Sequence, residues 1–314
     1  MVNNMKKVFI DGSQGTTGLK IFGRLKKRDD IELLTLPEEL RKDLKSRKEA
    51  LNSADIAFLC LPDAAAIEAA ELVTNDNTVI IDTSTAHRTS EGWAYGFPEI
   101  FKDGFVTVAS SKRIASPGCY ASGFIALVKP LLDEGIISPD HGFICHAVSG
   151  YSGAGKKGIA MYESDEKAPE LFAPREYALN QEHKHLKEMR KISGLSVAPM
   201  FCPYVCDYFS GMLVTVPVFK TDLKDGKTAE DIKAVYRSKY ASDIVKYKEA
   251  FDNGGFVAAN SKAELDSMDI TVAGNDDRIL LMAIYDNLGK GASGAALECM
   301  NIVMGLPPEY GLDL

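Results

Sequence analysis

The run Ser116-Pro117-Gly118-Cys119 places a cysteine directly after a Pro-Gly break and just before residues 121–132, which have helical character. A thiol at the start of a helix lies where backbone N–H groups and the helix dipole favour the thiolate. Thiolate is the nucleophilic form of cysteine, so this position suits covalent attack on an acyl group. A buried, inert cysteine is the alternative; it fits Cys60, Cys145 and Cys299 better, because these stand in apolar runs or in the last predicted helix.

A glycine-rich turn near the N-terminus is the second chemical signature. Gly12, Gly15 and Gly18 follow an apolar run at residues 7–11 and precede an amphipathic segment that extends to about residue 28. Glycine lets the backbone approach a pyrophosphate, and the following helix start offers N–H donors. We expect a dinucleotide-binding turn, to which Ser13, Thr16 and Thr17 add hydroxyl donors; a tight turn with no ligand is the alternative.

The end of the second predicted strand, residues 31–36, indicates which dinucleotide is bound. An acidic residue there would bind the ribose 2′-hydroxyl of NAD. The first acid is Glu38, and Arg41, Lys42 and Lys45 follow it. This pattern favours the 2′-phosphate of NADP, although charges on a polar helix are often simply solvated.

Further polar residues are candidates to assist an attacking thiolate. His183 and His185 are expected to supply a general acid/base; the alternatives are a polar histidine whose hydrogen bonds are satisfied within the fold, and a metal site. Further metal ligands are not evident, since Cys202 and Cys206 lack the usual zinc spacing. Anion-binding candidates are Arg88, Arg113 and the Gly/Ser loop at residues 149–156, which includes Ser149 and Gly150. Surface ion pairs and a flexible linker are the corresponding alternatives.

Short strands and helices alternate from residue 7 to residue 82, which predicts a Rossmann-type, doubly wound parallel sheet. Longer strands at residues 142–149, 195–206, 212–219 and 279–285 predict an α+β domain with a mixed or antiparallel sheet. A closing helix is expected at residues 289–304. We therefore expect a dinucleotide-binding domain at residues 1–118 and 286–314, and a catalytic and oligomerisation domain at residues 119–285.

Composition restricts the classes of partner. The 314 residues carry a net charge of −8, which argues against nucleic acid. No run approaches the roughly 18 apolar residues of a membrane helix. Six scattered cysteines form no disulfide framework, so we expect a cytoplasmic protein.

Together these motifs resemble the N-acetyl-gamma-glutamyl-phosphate reductase family in its short form, over essentially the whole chain. The resemblance rests on the glycine turn and on these segments in order: Leu61-Pro62-Asp63, residues 82–88, residues 95–99, Pro117-Gly118-Cys119-Tyr120, residues 149–156, His183-Lys184-His185 and residues 286–294. Departures from the family pattern are Ser116 for asparagine and Ala121-Ser122 for Pro-Thr; Asp63-Ala64 stand where longer relatives have His-Gly.

The resemblance implies the third step of arginine biosynthesis: NADPH and N-acetyl-L-glutamyl 5-phosphate give N-acetyl-L-glutamate 5-semialdehyde, phosphate and NADP. Cys119 is then the nucleophile that forms a thioester, and either His183 or His185 the acid/base. The anion-binding role falls to Arg88 and Arg113, whereas Asn287, Lys290 and Gly291 are expected on the nicotinamide side of the cofactor. No metal is implied, and a dimer or tetramer is expected.

Other functions remain open at this point. Aspartate-semialdehyde dehydrogenase shares the architecture and the chemistry, and a lysine-pathway reductase of carrier-bound aminoadipyl phosphate is a further relative. A nucleotide-sensing protein without turnover is the alternative from another class.

Overall fold

The computed structural model describes residues 5–314, which divide into two compact units. The first comprises the chain up to Pro98, Asp103–Pro117 and Ala295–Tyr310. The second comprises Glu99–Lys102, Gly118–Gly294 and Gly311–Leu314.

The first unit is built on a six-stranded sheet whose strand pairs are all parallel, in the order β2-β1-β3-β4-β6-β5. The strands are β1 (Lys6–Asp11), β2 (Ile31–Leu34), β3 (Ile56–Leu59), β4 (Val79–Asp82), β5 (Ala94–Tyr95) and β6 (Arg113–Ala115). The helices between them are α1 (Thr16–Leu25), α2 (Leu44–Ser53), α3 (Asp63–Leu72) and α4 (Gly104–Ser110). The predicted doubly wound class is confirmed.

One predicted helix of this unit is wrong in detail. The polar run from about Glu38 to Leu51 predicts a single helix, but a 3-10 turn occupies Glu38–Leu40 and α2 begins only at Leu44. The Asp43 carboxylate accepts a hydrogen bond from the Ser46 backbone N–H at 2.7 Å. Such an N-cap starts a new helix at this point.

The second unit contains a mixed seven-stranded sheet in the order β11-β12-β13-β10-β7-β9-β8. Its strands are β7 (Ile144–Gly150), β8 (Arg175–Glu176), β9 (Met200–Cys206), β10 (Met212–Phe219), β11 (Val245–Tyr247), β12 (Met268–Gly274) and β13 (Arg278–Tyr285). Its helices are α5 (Cys119–Asp133), α6 (Gly155–Tyr162), α7 (His185–Ser193) and α8 (Ala229–Lys239). A π-helical turn at Gly289–Ser293 leads into the last helix, α9 (Gly294–Val303).

Helix α5 is almost wholly buried and forms the centre of this unit's core. Pro130 has no N–H, so the carbonyl of Ala126 loses its partner within the helix. The hydroxyl of Tyr240, the residue that follows α8, donates to that carbonyl at 2.6 Å, and Tyr236 of α8 donates to the Leu127 carbonyl at 2.5 Å. Helix α8 thus stabilises the body of the helix whose first residue is Cys119.

Candidate active site

The predicted dinucleotide turn has the geometry of a backbone cradle. Gly12 has a φ of +89°, and a Cβ there would overlap the Cys60 carbonyl oxygen. A Cβ on Gly18 would overlap the Gly12 carbonyl oxygen in the same way. Helix α1 begins at Thr16, so its first N–H groups face the end of β1. These residues fit a pyrophosphate held against a helix N-terminus.

A cleft of about 930 Å³ opens beside this turn. Its lining runs from the glycine turn to the end of β2, where Glu38, Arg41 and Lys42 contribute. The Arg41 Nε donates to the Leu36 carbonyl at 3.4 Å, which keeps the guanidinium near the end of that strand. Lys45 is exposed and lies 4.0 Å from Glu49, and it is not part of this lining.

A buried ion pair forms one wall of the cleft, and sequence reasoning did not identify it. The Arg47 guanidinium binds the Asp11 carboxylate at 2.9 Å, and Asp11 ends β1 immediately before Gly12. Burial raises the pKa of Asp11, and the charge and hydrogen bonds of Arg47 oppose that shift. Since the Arg47 guanidinium binds Asp11 and Glu68, the other cationic side chains that line the cleft are Arg41 and Lys42.

The loop after β4 is organised around a carboxylate. Asp82 accepts hydrogen bonds from the backbone N–H and hydroxyl of Ser84 and lies 2.7 Å from Nδ1 of His87. Arg88 is buried: its Nε donates to the Ser116 carbonyl at 2.9 Å and its Nη2 to the Thr83 carbonyl at 3.1 Å. Arg88 therefore fixes the turn that precedes Pro117.

Arg113, the other candidate anion ligand, begins β6 at the opposite end from Ser116. Its guanidinium donates to the carbonyls of Thr78 and Lys112 at 3.3 and 3.0 Å, and burial lowers its pKa. Because Thr78 precedes β4, this is the amino edge of the parallel sheet, whereas ligands bind at the carboxyl edge. The structure does not bring Arg113 and Arg88 together.

Cys119 is the first residue of α5 and is partly exposed. Gly118 is the N-cap residue, and its extended backbone places the thiol at the positive end of a 15-residue helix. The predicted position of the sulfur at a helix start is thus confirmed by the bounds of α5. By contrast, burial raises the pKa of the Cys60 thiol to about 12, and that of Cys145 is raised further.

Tyr285, the last residue of β13, and Gly291 of the π-helical turn both lie against the first turn of α5. The Tyr285 hydroxyl donates to the Cys119 carbonyl at 2.6 Å and accepts from the Gly123 N–H at 3.1 Å. Burial, with a smaller contribution from the charge of Cys119, raises the pKa of Tyr285, so the hydroxyl stays protonated. Gly291 lies against the cysteine itself: a Cβ there would be 3.0 Å from the Cys119 Cβ.

The two histidines lie beside the residue that follows the cysteine. Their ring centroids are 4.7 Å apart, and both rings contact Tyr120, at 6.1 Å for His183 and 5.9 Å for His185. His185 is buried and begins α7, whereas His183 precedes the helix and is partly exposed. Among residues 5–314 no group of three or more side chains has the arrangement of a metal site.

Glu188 is a further site residue that the sequence analysis missed. Its buried carboxylate accepts a 2.8 Å hydrogen bond from the backbone N–H of Gly118, the residue before the nucleophile. It lies three residues after His185 on α7, so both face the same side of that helix. In the sequence, the His-x-x-Glu spacing from His185 to Glu188 is the pattern that could have indicated Glu188 as a site residue.

The remaining predicted residues are engaged within the second unit. The N–H of Gly150 donates to the Gly211 carbonyl at 3.0 Å, and the Ser149 hydroxyl donates to the Gly150 carbonyl at 3.0 Å. Asn287 binds Ser152 and the Gly211 N–H, at 2.9 and 3.0 Å. The interactions of Ser149, Gly150 and Asn287 thus hold this loop in place.

Lys290 lies in the π-helical turn and is almost fully buried. Its ammonium group donates to the Glu99 carboxylate at 2.6 Å. This ion pair anchors the turn that presents Gly291 to Cys119. The buried position of Lys290 indicates a structural role, which is to hold the π-helical turn.

Comparison with known proteins agrees with this geometry. Residues 7–107 match the family described as semialdehyde dehydrogenase, NAD binding domain, and residues 119–287 match its dimerisation domain. The chain is 42% identical to N-acetyl-gamma-glutamyl-phosphate reductase 2 of Nostoc sp., over 98% of this chain and 100% of that protein. It is 45% identical to the N-acetyl-gamma-glutamyl-phosphate reductase of Allorhizobium ampelinum, over 95% of this chain and 98% of that protein.

The chain belongs to the N-acetyl-gamma-glutamyl-phosphate reductase family. Among solved structures it is similar to aspartate semialdehyde dehydrogenase II of Vibrio cholerae, with a TM-score of 0.72 and 17% identity over 96% of this chain and 99% of that one. The NADP-bound aspartate semialdehyde dehydrogenase of Candida albicans has a TM-score of 0.67 at 15% identity, over 96% and 99% of the two chains. These two structures support the fold. In the part of the chain that the structure describes, no helix is long and apolar enough to cross a membrane.

Proposed function

We propose that this protein reduces N-acetyl-L-glutamyl 5-phosphate to N-acetyl-L-glutamate 5-semialdehyde and phosphate with NADPH, in arginine biosynthesis. The observation that carries the proposal is the cysteine at the start of α5, with Glu188 bound to the preceding N–H and Gly291 against its Cβ. A thiolate in that position is poised for acyl transfer.

The proposed reaction requires one nucleophile and one side chain that carries a proton. The Cys119 sulfur attacks the acyl carbon, the bond to the phosphate oxygen breaks, and a thioester remains. When bound, the nicotinamide cofactor would supply the hydride that reduces the thioester. The resulting oxyanion is protonated, and loss of that proton as the C–S bond breaks releases the aldehyde and the thiolate.

The proton carrier in this proposal is His183 or His185, since both rings contact Tyr120 next to the nucleophile. Arg88 and the loop at Ser149 and Gly150 are proposed to assist substrate binding indirectly. Arg88 holds the backbone turn before Pro117, and the hydrogen bonds of Ser149 and Gly150 hold the backbone of their loop. Asn287, Lys290 and Gly291 are proposed to form the part of the site next to the nicotinamide ring. The buried hydrogen bonds of Asn287 and Lys290 support a role in which these residues keep the backbone there fixed.

The proposed cofactor is NADPH rather than NADH. Support comes from Arg41 and Lys42, which line the cleft where the 2′-phosphate of NADP would lie. Replacing Arg41→Ala should raise the KM for NADPH about tenfold or more and leave the KM for NADH nearly unchanged. Lys45→Ala, outside the cleft, is the matched control; equal effects on both cofactors would contradict this assignment.

A homodimer through the exposed face of the seven-stranded sheet is also proposed. Ile144 and Met200 are register partners on that face and are 38% and 59% exposed, and Leu280 on β13 is 38% exposed. A second copy of this apolar face would cover these side chains. Met200→Glu should reduce the mass measured by light scattering to that of a monomer, whereas Lys184→Glu should not; a dimer in both variants would contradict this interface.

All six cysteines are thiols, which is consistent with a reducing compartment and supports the proposed cytoplasmic location.

The direct test of function is a steady-state assay in the reverse direction, with phosphate, both cofactors and two semialdehydes. We expect kcat/KM for N-acetyl-L-glutamate 5-semialdehyde with NADP to exceed that for aspartate semialdehyde by at least about 100-fold, since the buried polar groups of a site strongly reject a substrate that leaves them unpaired. Preference for aspartate semialdehyde would favour the alternative dehydrogenase, and absence of turnover with both would favour a nucleotide-binding protein.

A further inference from the structure

The segment that leads to His183 contains two strained backbone positions. Ala178 and Gln181 have φ values of +55° and +57°, in the left-handed region that L-residues other than glycine, asparagine and aspartate rarely adopt. Their backbones are joined by a hydrogen bond from the Gln181 N–H to the Ala178 carbonyl at 2.9 Å. Such strain persists only where surrounding contacts hold it.

The side chain of Gln181 makes those contacts. Its Nε2 donates to the Phe201 carbonyl at 2.8 Å, and its Oε1 accepts from the Phe201 N–H at 2.9 Å. Phe201 lies on β9, and the neighbouring strand β8 pairs with β9 only at Tyr204 and Val205. The amide of Gln181 therefore takes the place of the missing strand partner at Phe201.

Phe201 connects this clamp to the histidine. The Phe201 ring lies 5.2 Å from the His183 ring and 5.3 Å from the Tyr120 ring, both edge-to-face. The backbone N–H of His185 points to Nδ1 of His183 at 3.2 Å. Because a backbone N–H can only donate, Nδ1 accepts, and the neutral ring carries its proton on Nε2.

We propose that Gln181 is a positioning residue that sets the orientation and tautomer of His183 by clamping the preceding turn to Phe201. The proposal deepens the function proposed above and rests on it only for the kinetic readout. Its chemical content is that His183 presents an Nε2–H donor, which suits hydrogen bonding to the carbonyl oxygen of an acyl group or to the oxyanion formed from it.

The kinetic test uses a double-mutant cycle. Gln181→Met removes both hydrogen bonds at similar size and should lower kcat about 10- to 100-fold, since small misplacements of a catalytic group have effects of that order. In the His183→Asn background the same change should have less than about a twofold effect, because the group through which it acts is gone. Equal losses in both backgrounds would overturn the proposal.

Two further variants keep this test decisive. Asn180→Met is the matched control, because among residues 5–314 the Asn180 side chain bonds only to Glu182 in the same exposed turn. This variant should leave kcat unchanged. If Gln181→Met does not fold, Gln181→Glu replaces it: it keeps an acceptor for the Phe201 N–H but loses the donor, and an intermediate loss is expected. Wild-type kcat in Gln181→Glu would contradict a role for the donated bond.

A second readout is independent of turnover. Nitrogen-15 NMR of the histidine side chains, with His183→Asn to identify the resonance, should show the Nε2–H tautomer in the wild-type protein and a tautomer mixture in Gln181→Met. An unchanged His183 spectrum would refute the clamp even if the protein proved to be a reductase. A changed spectrum in a protein that reduces neither semialdehyde would support the clamp while the proposed function failed.

Discussion

Replacing Glu188 tests whether the nucleophile turn is held by the hydrogen bond at Gly118. The bond is 2.8 Å long, its acceptor is a carboxylate, and both groups are buried. Hydrogen bonds to charged groups contribute about 1.5–3 kcal/mol and neutral ones about 0.5–1.5 kcal/mol. Glu188→Gln retains an acceptor, so we expect a loss of about 1 kcal/mol in the free energy of unfolding.

Glu188→Met has a similar volume but no acceptor, and it leaves the buried Gly118 N–H unsatisfied at a cost of about 1–3 kcal/mol. Because Gly118 precedes the nucleophile, kcat should fall about 10- to 100-fold in this variant and less than about tenfold in Glu188→Gln.

Urea denaturation measures the first quantity and a steady-state assay the second, with the exposed Glu182→Gln as control. A Glu188→Met protein that turns over within twofold of the wild type would refute the reasoning.

Two further changes probe other parts of the site. Arg47→Met leaves the Asp11 carboxylate buried and uncompensated, so unfolding should become easier by about 3–5 kcal/mol. Since the folded pKa of Asp11 lies above its ordinary value of 3.8, the folded state binds that proton more tightly, and the contribution of Asp11 to stability should decline as pH rises through that interval. The difference in urea midpoint between the wild type and Asp11→Asn isolates this contribution, and a difference that shifts in favour of the wild type as pH rises there would contradict it. Gly291→Ala places a Cβ 3.0 Å from the Cys119 Cβ and should lower kcat more than it changes KM. Gly142→Ala is the control, since a Cβ there meets no atom within 4 Å, and it should leave both constants unchanged. Equal kinetic constants for the two variants would contradict the contact between Gly291 and Cys119.

The class of the first sheet could be predicted from the sequence, because short apolar strands alternate with helices and the glycine turn follows β1. Strand β10 was predicted with its observed bounds, since Met212–Phe219 is rich in β-branched residues and partly alternates. The break at Asp43 was missed because the cap signal there is a single aspartate within a polar run.

The nucleophile was predictable from its neighbours in the chain, whereas the contacts that hold it were not. Glu188 reaches Gly118 across 70 residues, and Tyr285 reaches Cys119 across 166. Such contacts depend on how α5, α7 and β13 pack, and no local pattern encodes them. The same holds for Gln181, whose amide replaces a strand that is too short to cover Phe201.

Mass analysis of the intact protein during reaction with the semialdehyde and NADP, without phosphate, tests the central role of the cysteine most directly. Omitting phosphate removes the acceptor for the acyl group, so a thioester should accumulate on Cys119 and disappear when phosphate is added. Cys119→Ala should show no adduct and should not reduce NADP, while Cys202→Ala, on β9 and outside the cofactor cleft, should behave as the wild-type protein does. Turnover in Cys119→Ala, or an adduct on another residue, would contradict the account.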